Sequence, residues 1–120
     1  RAMWMLLQNE EAKDYVIASN ETRTVREFVE TAFRAAGLEI AWEGSGAGEI
    51  GREKTSGKVL VKVNPDFFRP AEVEVLWGNP QKAEKELGWR REISFEDLVR
   101  RMVNYDMKLV EKEIKAGCSA

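Results

Sequence analysis

The chain has 120 residues, of which 43% are hydrophobic and 33% are charged, and its net charge is -2. This length supports one domain at most, and the composition is ordinary for a soluble globular protein. A slightly acidic chain offers no basic surface to a nucleic acid, and no apolar run approaches the ~18 residues that cross a membrane. We therefore expect neither a nucleic acid nor a membrane as a partner.

Histidine is absent and the only cysteine is Cys118, which limits the chemistry open to this chain. Without histidine the commonest general base and metal ligand is missing, and the carboxylates are scattered, so we expect no metal site. A single cysteine cannot form an internal disulfide, which is consistent with a cytoplasmic location.

The first part of the chain predicts a helix, a strand and a second helix. Residues 1–8 (RAMWMLLQ) favour a helix that is apolar on nearly every side and lacks an N-cap, which is typical of a fragment that begins inside a buried helix. The run YVIA at residues 15–18 predicts a strand. A capping box at residues 24–27 and apolar residues at helical spacing over residues 25–36 predict an amphipathic helix that Gly37 ends.

A glycine-rich stretch follows a predicted strand at residues 38–42. Residues 43–57 hold five glycines, including a G-x-G-x-x-G pattern at Gly46, Gly48 and Gly51. The dinucleotide fingerprint requires such a loop to open a helix, so that the pyrophosphate meets the helix N-terminus. Here a strand is predicted next, so we interpret the stretch as a loop that can order over a ligand, and not as a dinucleotide site.

The strand that follows this loop is predicted to have one buried face. Residues 58–63 alternate, with the three valines on the buried side, and residues 64–66 then turn the chain. Phe67 and Phe68 are expected to anchor that turn in a core.

Two further helices complete an α/β arrangement with a small sheet. Residues 79–88 predict a helix with Asn79 as N-cap and Pro80 in its first turn. A weaker capping pattern opens a longer helix over residues 94–115, which Gly117 ends. Three short strands would leave an open sheet edge.

Arg69 and Glu72 are the candidate ligand-binding residues. Pro70 favours an extended residue before it, so the Arg69 guanidinium projects from a rigid backbone. A rigid fork of donors suits bidentate contact with a phosphate, and the Glu72 carboxylate can accept bonds from a vicinal diol such as a ribose. The alternative is a surface ion pair of Arg69 with Glu72 or Glu74, an arrangement that contributes little stability.

No catalytic site can be assembled from these residues. Tyr15 and Tyr105 lack the lysine that a Tyr-x-x-x-Lys pair needs, and no histidine is present to activate a serine or threonine. The tryptophans can stack on a base, but large aromatic residues more often pack in a core or an interface. We therefore expect the chain to bind a ligand and not to catalyse a reaction.

Several stretches of the chain resemble one family. They are FRPAEVE at residues 68–74 with LWGNP at 76–80 and LGW at 87–89, AMW at residues 2–4, and DYVIA with TVREFV at residues 14–18 and 24–29. Together they resemble GDP-mannose 4,6-dehydratases of the extended short-chain dehydrogenase/reductase family. Asn79 stands where that family often has aspartate, and the family's NADP loop, catalytic Ser/Thr and Glu, and Tyr-x-x-x-Lys pair would precede Arg1.

The resemblance implies a fold, an activity and partners. Residues 1–120 would be the C-terminal nucleotide-sugar (substrate) binding domain of a Rossmann-type α/β enzyme, a small mixed sheet with packed helices, while an N-terminal domain binds NADP. The parent would be a cytoplasmic, homo-oligomeric (dimeric or tetrameric) lyase that converts GDP-mannose to GDP-4-keto-6-deoxymannose, towards GDP-fucose. In related enzymes the arginine of the Arg-Pro pair contacts the diphosphate and the acidic residue three positions later contacts the ribose, which assigns those roles to Arg69 and Glu72.

Two alternatives remain open at this point. One is another nucleotide-sugar epimerase, dehydratase or reductase of the same family, since a Leu-Gly-Trp ending is shared by many of them. The other is a non-catalytic interaction domain whose exposed apolar faces dock a partner chain.

Overall fold

A computed structural model describes residues 1–69 and 75–117. Its helices are α1 (Ala2–Leu7), α2 (Val25–Ala35), α3 (Gln81–Leu87) and α4 (Phe95–Lys115), and its strands are β1 (Ile40–Glu43), β2 (Ile50–Glu53) and β3 (Val59–Lys62). The predicted α/β class is confirmed. Across the described part of the chain, no helix combines the length and the apolar character needed to span a bilayer.

The described residues group into two compact units. The first unit draws on residues 1–23 and 75–94, and it contains α1 and α3. The second unit draws on residues 24–69 and 95–117, and it contains α2, the three strands and α4.

The sheet of the second unit is a meander in which β2 lies between β1 and β3. Trp42 of β1 lies opposite Gly51 of β2, and Ile50 of β2 lies opposite Lys62 of β3. Both pairings are antiparallel, so the prediction of a mixed sheet is wrong, because short hairpin connections join neighbours in opposite directions. The prediction of residues 43–57 as a loop without a strand is also wrong, since β2 lies within it.

Helix α2 begins and ends where the sequence predicts. The Thr24 hydroxyl accepts from the Glu27 backbone N–H at 3.1 Å, and the Glu27 carboxylate accepts from the Thr24 N–H at 2.7 Å, which completes the capping box. Gly37 follows the helix with a left-handed φ of +80°. The helix packs on α4, where the rings of Phe28 and Phe95 lie edge to face with centroids 6.4 Å apart.

Two burial predictions for the second unit are wrong. Val59 is 40% exposed, because a register shift between Gly51 and Arg52 interrupts the regular alternation of β2 against β3. Phe67 is 81% exposed and Phe68 is 45% exposed, so neither anchors the turn in a core.

The first unit contains α3 and an extended segment. Asn79 Oδ1 accepts from the Gln81 N–H at 3.0 Å, so α3 begins within one residue of its predicted start. Residues 15–18 form no strand, since no described segment pairs with them in a backbone ladder, and that prediction is wrong. The segment instead packs against Gly78, where an added Cβ would lie 2.6 Å from the Ala18 Cβ.

Candidate ligand-binding site

A cavity of about 490 Å³ lies in the second unit, between the glycine-rich loop and the turn that follows β3. Residues 47–50 form one wall and residues 62–65 form the other, and we call this space the loop–turn cavity. Its volume is within the range of small-molecule sites, and its lining combines apolar side chains with one lysine and one glutamate.

Different structural features explain why glycine occupies each of these positions in the loop. Gly44 and Gly46 adopt left-handed φ values of +78° and +57°, which an L side chain rarely adopts. Gly51 has no such φ but is buried, and an added Cβ would lie 2.9 Å from Ile40 Cγ2. The last glycine of the G-x-G-x-x-G pattern is thus explained by strand packing, and the pattern lies in a β-hairpin instead of opening a helix.

Arg26 of α2 holds both ends of the glycine-rich loop. Its guanidinium carbon lies 4.6 Å from the centre of the Trp42 ring, before the loop, and its NH2 group pairs with the Glu49 carboxylate, after the loop. The Trp42 indole N–H donates to Glu30 at 2.7 Å, so α2 fixes that side chain at two points. In turn, the Glu49 carbonyl accepts from the Val63 N–H at 3.2 Å, which joins the two walls of the cavity.

The charged side chains at the cavity give its lining a net positive charge. The Glu49 side chain is only 21% exposed and its charge is balanced by Arg26. Lys62 is exposed at the end of β3 and has no ion-pair partner within residues 1–69 and 75–117. Sequence reasoning identified neither Lys62 nor Arg26 as part of a site.

Arg69 follows the loop–turn cavity closely along the chain. It is exposed and comes after the short 3-10 turn Pro65–Phe67, whose first residue lines the cavity. Because Arg69 comes four residues after Pro65, their Cα atoms can be no more than about 14 Å apart. Glu72 lies outside the described residues, so the proposed pairing of the two side chains stays a prediction.

In the first unit, Tyr15 joins the segment after α1 to α3. Its hydroxyl donates to Glu86 at 2.8 Å and accepts from Asn9 at 2.7 Å, and Lys82 Nζ lies 4.7 Å from the centre of its ring. Desolvation of the hydroxyl and its hydrogen bond to Glu86 raise the pKa of Tyr15 above its ordinary value. A raised pKa keeps the phenol protonated, which suits a structural donor and not a catalytic base.

An ion-pair cluster in the first unit centres on Glu21. The carboxylate lies 2.7 Å from the Arg91 guanidinium and 3.3 Å from that of Arg23. The hydrogen bond from Arg91, with a second from Arg23, lowers the pKa of Glu21 from 4.5 to about 2. Because the arginines and the carboxylate satisfy one another, the cluster holds the chain at Glu21 against the segment after α3.

The tryptophans divide between packed and exposed positions. Trp42 and Trp89 are half-buried, whereas Trp4 is 65% and Trp77 is 59% exposed.

The described residues include no group of three or more carboxylate or thiol side chains placed to hold a metal ion.

Comparison with known proteins identifies the family to which this α/β chain belongs. The family model described as GDP-mannose 4,6 dehydratase matches residues 1–102. The chain is 49% identical to GDP-mannose 4,6 dehydratase of Drosophila melanogaster over 92% of its own length and 28% of the relative. It is 47% identical to the Homo sapiens protein of that name over 91% of its length and 29% of the relative. A Sinorhizobium fredii (strain HH103) GDP-mannose 4,6-dehydratase is 46% identical over 89% and 30%.

The chain therefore belongs to the GDP-mannose 4,6 dehydratase family, and the resemblance noted from its motifs is confirmed. It spans about three-tenths of the length of each of these three curated relatives.

Proposed function

We propose that this chain is the substrate-binding part of an enzyme that converts GDP-mannose to GDP-4-keto-6-deoxymannose. The observation that carries the proposal is the match of residues 1–102 to the family model, together with identities of 46–49% to proteins named as GDP-mannose 4,6-dehydratases. In this proposal Arg69 binds the diphosphate and Glu72 binds the ribose of the nucleotide sugar. The parent's lyase class, cytoplasmic location and homo-oligomeric assembly stay predictions.

The loop–turn cavity supports a role in ligand binding and not in bond-breaking. Its charged side chains are Lys62 and Glu49, and the glutamate is occupied by Arg26. No general base stands beside a hydroxyl there, and Tyr15 of the first unit has a raised pKa. We therefore assign binding and orientation of the nucleotide to these residues, and the catalytic groups to the remainder of a family enzyme.

NADP is assigned in this proposal to the remainder of a family enzyme, because the glycine pattern of this chain does not form a dinucleotide loop. A dinucleotide loop opens a helix, whereas Gly46–Gly48 forms a short 3-10 turn that leads into β2. Gly51 is enclosed by Ile40, Trp42 and Val61 and is not open to a pyrophosphate. We accordingly assign no reaction step and no cofactor contact to these glycines.

A chimeric enzyme tests the proposed function. Residues 1–102 would replace the matching segment of the Drosophila melanogaster relative, and conversion of GDP-mannose would be followed by mass spectrometry as loss of one water. We expect turnover in the chimera and none in the 120-residue chain by itself. A folded chimera that binds NADP and leaves GDP-mannose unchanged would contradict the proposal.

Arg69→Ala in the same chimera tests the assigned phosphate contact. A hydrogen bond to a charged group contributes ~1.5–3 kcal/mol, so KM for GDP-mannose is expected to rise roughly tenfold or more with little change in kcat. Arg69→Lys should recover only part of the loss, because an ammonium cannot make the bidentate contact. Arg101→Ala, at an exposed arginine of α4, is the matched control. An unchanged KM for Arg69→Ala would return Arg69 to the surface ion-pair interpretation.

A further inference from the structure

Gly48 is a glycine that the fold does not require. Its φ is not left-handed, and a Cβ built on it meets no heavy atom within 4 Å. By contrast, the left-handed backbone requires glycine at Gly44 and Gly46. Glycine is required at Gly51 because the neighbouring side chains leave no room for a Cβ. Because Gly48 lines the loop–turn cavity, the effect of having no side chain there is to keep that space open.

Lys62 places an unbalanced positive charge at the same cavity. The strand register sets Lys62 opposite Ile50, next to Glu49, yet Glu49 pairs with Arg26 instead. No other described side chain forms an ion pair with Lys62. An ammonium beside the apolar side chains of Ala47, Val63 and other lining residues suits a ligand with both an anionic and an apolar part.

The position of Arg26 shows that the wall of the cavity is held in place. A cation in the first turn of a helix opposes the helix dipole, so the helix alone disfavours Arg26 at this position. The compensation lies outside the helix, in the ring of Trp42 and the carboxylate of Glu49. These contacts fix both ends of the loop that carries Gly48.

We infer that the loop–turn cavity is a binding site for the anionic part of a nucleoside diphosphate, with Lys62 supplying charge, Gly48 supplying space and Arg26 positioning the wall. The inference rests on the proposed function and deepens it, because a diphosphate carries more negative charge than Arg69 alone can balance. Lys62 contacts the same diphosphate from the sheet while Arg69 contacts it from the segment after the turn.

Binding to the complete 120-residue chain tests the inference directly. GDP and inorganic pyrophosphate would be titrated separately while the backbone amide resonances of Gly48 and Val63 are followed by NMR. Lys62→Gln is expected to weaken both ligands about tenfold, as the loss of one charge-assisted contact predicts. Lys58→Gln is the matched control, because Lys58 is also an exposed lysine at an end of β3 but does not line the cavity. Gly48→Leu should weaken GDP with no loss of thermal stability.

The outcomes separate this inference from the proposed function. Equal affinities for Lys62→Gln and Lys58→Gln, or no binding of either ligand by the wild-type chain, would overturn the binding site even if the chimera is active. Selective weakening by Lys62→Gln together with shifts at Gly48 and Val63 supports the site even if the chimera is inactive. If Gly48→Leu does not fold, the comparison of the two lysine variants still decides.

Discussion

Replacing Gly51 by alanine should destabilise the second unit through steric crowding alone. The added Cβ would lie 2.9 Å from Ile40 Cγ2, 3.2 Å from Trp42 Cζ3 and 3.2 Å from Val61 Cβ. The Ile40 methyl can rotate away, but the Val61 Cβ is fixed to its backbone and the Trp42 ring is held by α2. Two of the three contacts therefore cannot relax without moving a strand.

The expected change in the free energy of unfolding combines two opposing contributions. Overpacking a filled site costs ~1–3 kcal/mol, and removing a glycine from a strand interior returns ~0.5–1 kcal/mol. Taken at the centres of these two ranges, the free energy of unfolding should fall by about 1.2 kcal/mol. At about 4 °C per kcal/mol for a domain of this size, Tm should fall by roughly 5 °C, which circular dichroism can measure.

Gly48→Ala is the control, because it makes the same chemical change in the same glycine pattern. With no atom within 4 Å of the new Cβ and an ordinary φ, it should leave Tm unchanged or raise it through the lower entropy of the unfolded chain. If Gly51→Ala melts with or above Gly48→Ala, the packing of Trp42 across Gly51 is refuted.

Two further predictions concern helix capping and pH. Thr24→Ala should lower the free energy of unfolding by ~1 kcal/mol because the Glu27 backbone N–H loses its acceptor, and Thr24→Ser should restore it in urea titrations. Glu21 has a folded-state pKa of about 2 against 4.5, so its ion pairs with Arg91 and Arg23 stabilise the fold above about pH 4.5 and are lost as pH falls towards 2. In Glu21→Gln this part of the acid dependence of the urea midpoint should disappear; an unchanged dependence would contradict the role of the cluster.

Helix ends could be predicted from the sequence because their signals are local. The capping box at Thr24, the Asn79–Pro80 start and the left-handed Gly37 and Gly88 each act on backbone groups within a few residues. The structure places these helix ends within one or two residues of their predicted positions. Local hydrogen bonds decide such boundaries whatever the rest of the chain does.

Strands and burial were harder to predict because they depend on partners distant in the sequence. β2 has the sequence Ile50–Glu53 with a glycine at its centre, so it carries no strand pattern of its own and exists because β1 and β3 pair with it. Residues 15–18 have high strand propensity and no ladder partner among the described residues. Phe67 and Phe68 show the same limit, since an apolar side chain is buried only where another surface meets it.

The candidate site was predicted in part. Arg69 could be singled out because Pro70 constrains it locally, whereas Lys62 resembles any outward-facing lysine until the register places it beside the loop. A tertiary contact of Arg26 could have been inferred from the sequence, because a cation in the first turn of a helix is unfavourable and implies a partner elsewhere. A residue of this kind indicates, from the amino-acid sequence alone, that a tertiary contact compensates it.

The order of the strands also has a consequence for how the chain acquires its structure. β1, β2 and β3 are sequential and occupy only Ile40–Lys62, so the meander closes short loops and needs no distant segment. The packing of α2 on α4, by contrast, joins Phe28 to Phe95 across most of the chain. Because contacts between sequence neighbours close the shortest loops, we expect the meander to form early in folding and the helix pair to form late. Destabilising substitutions in the sheet should therefore slow folding, whereas destabilising substitutions between α2 and α4 should speed unfolding.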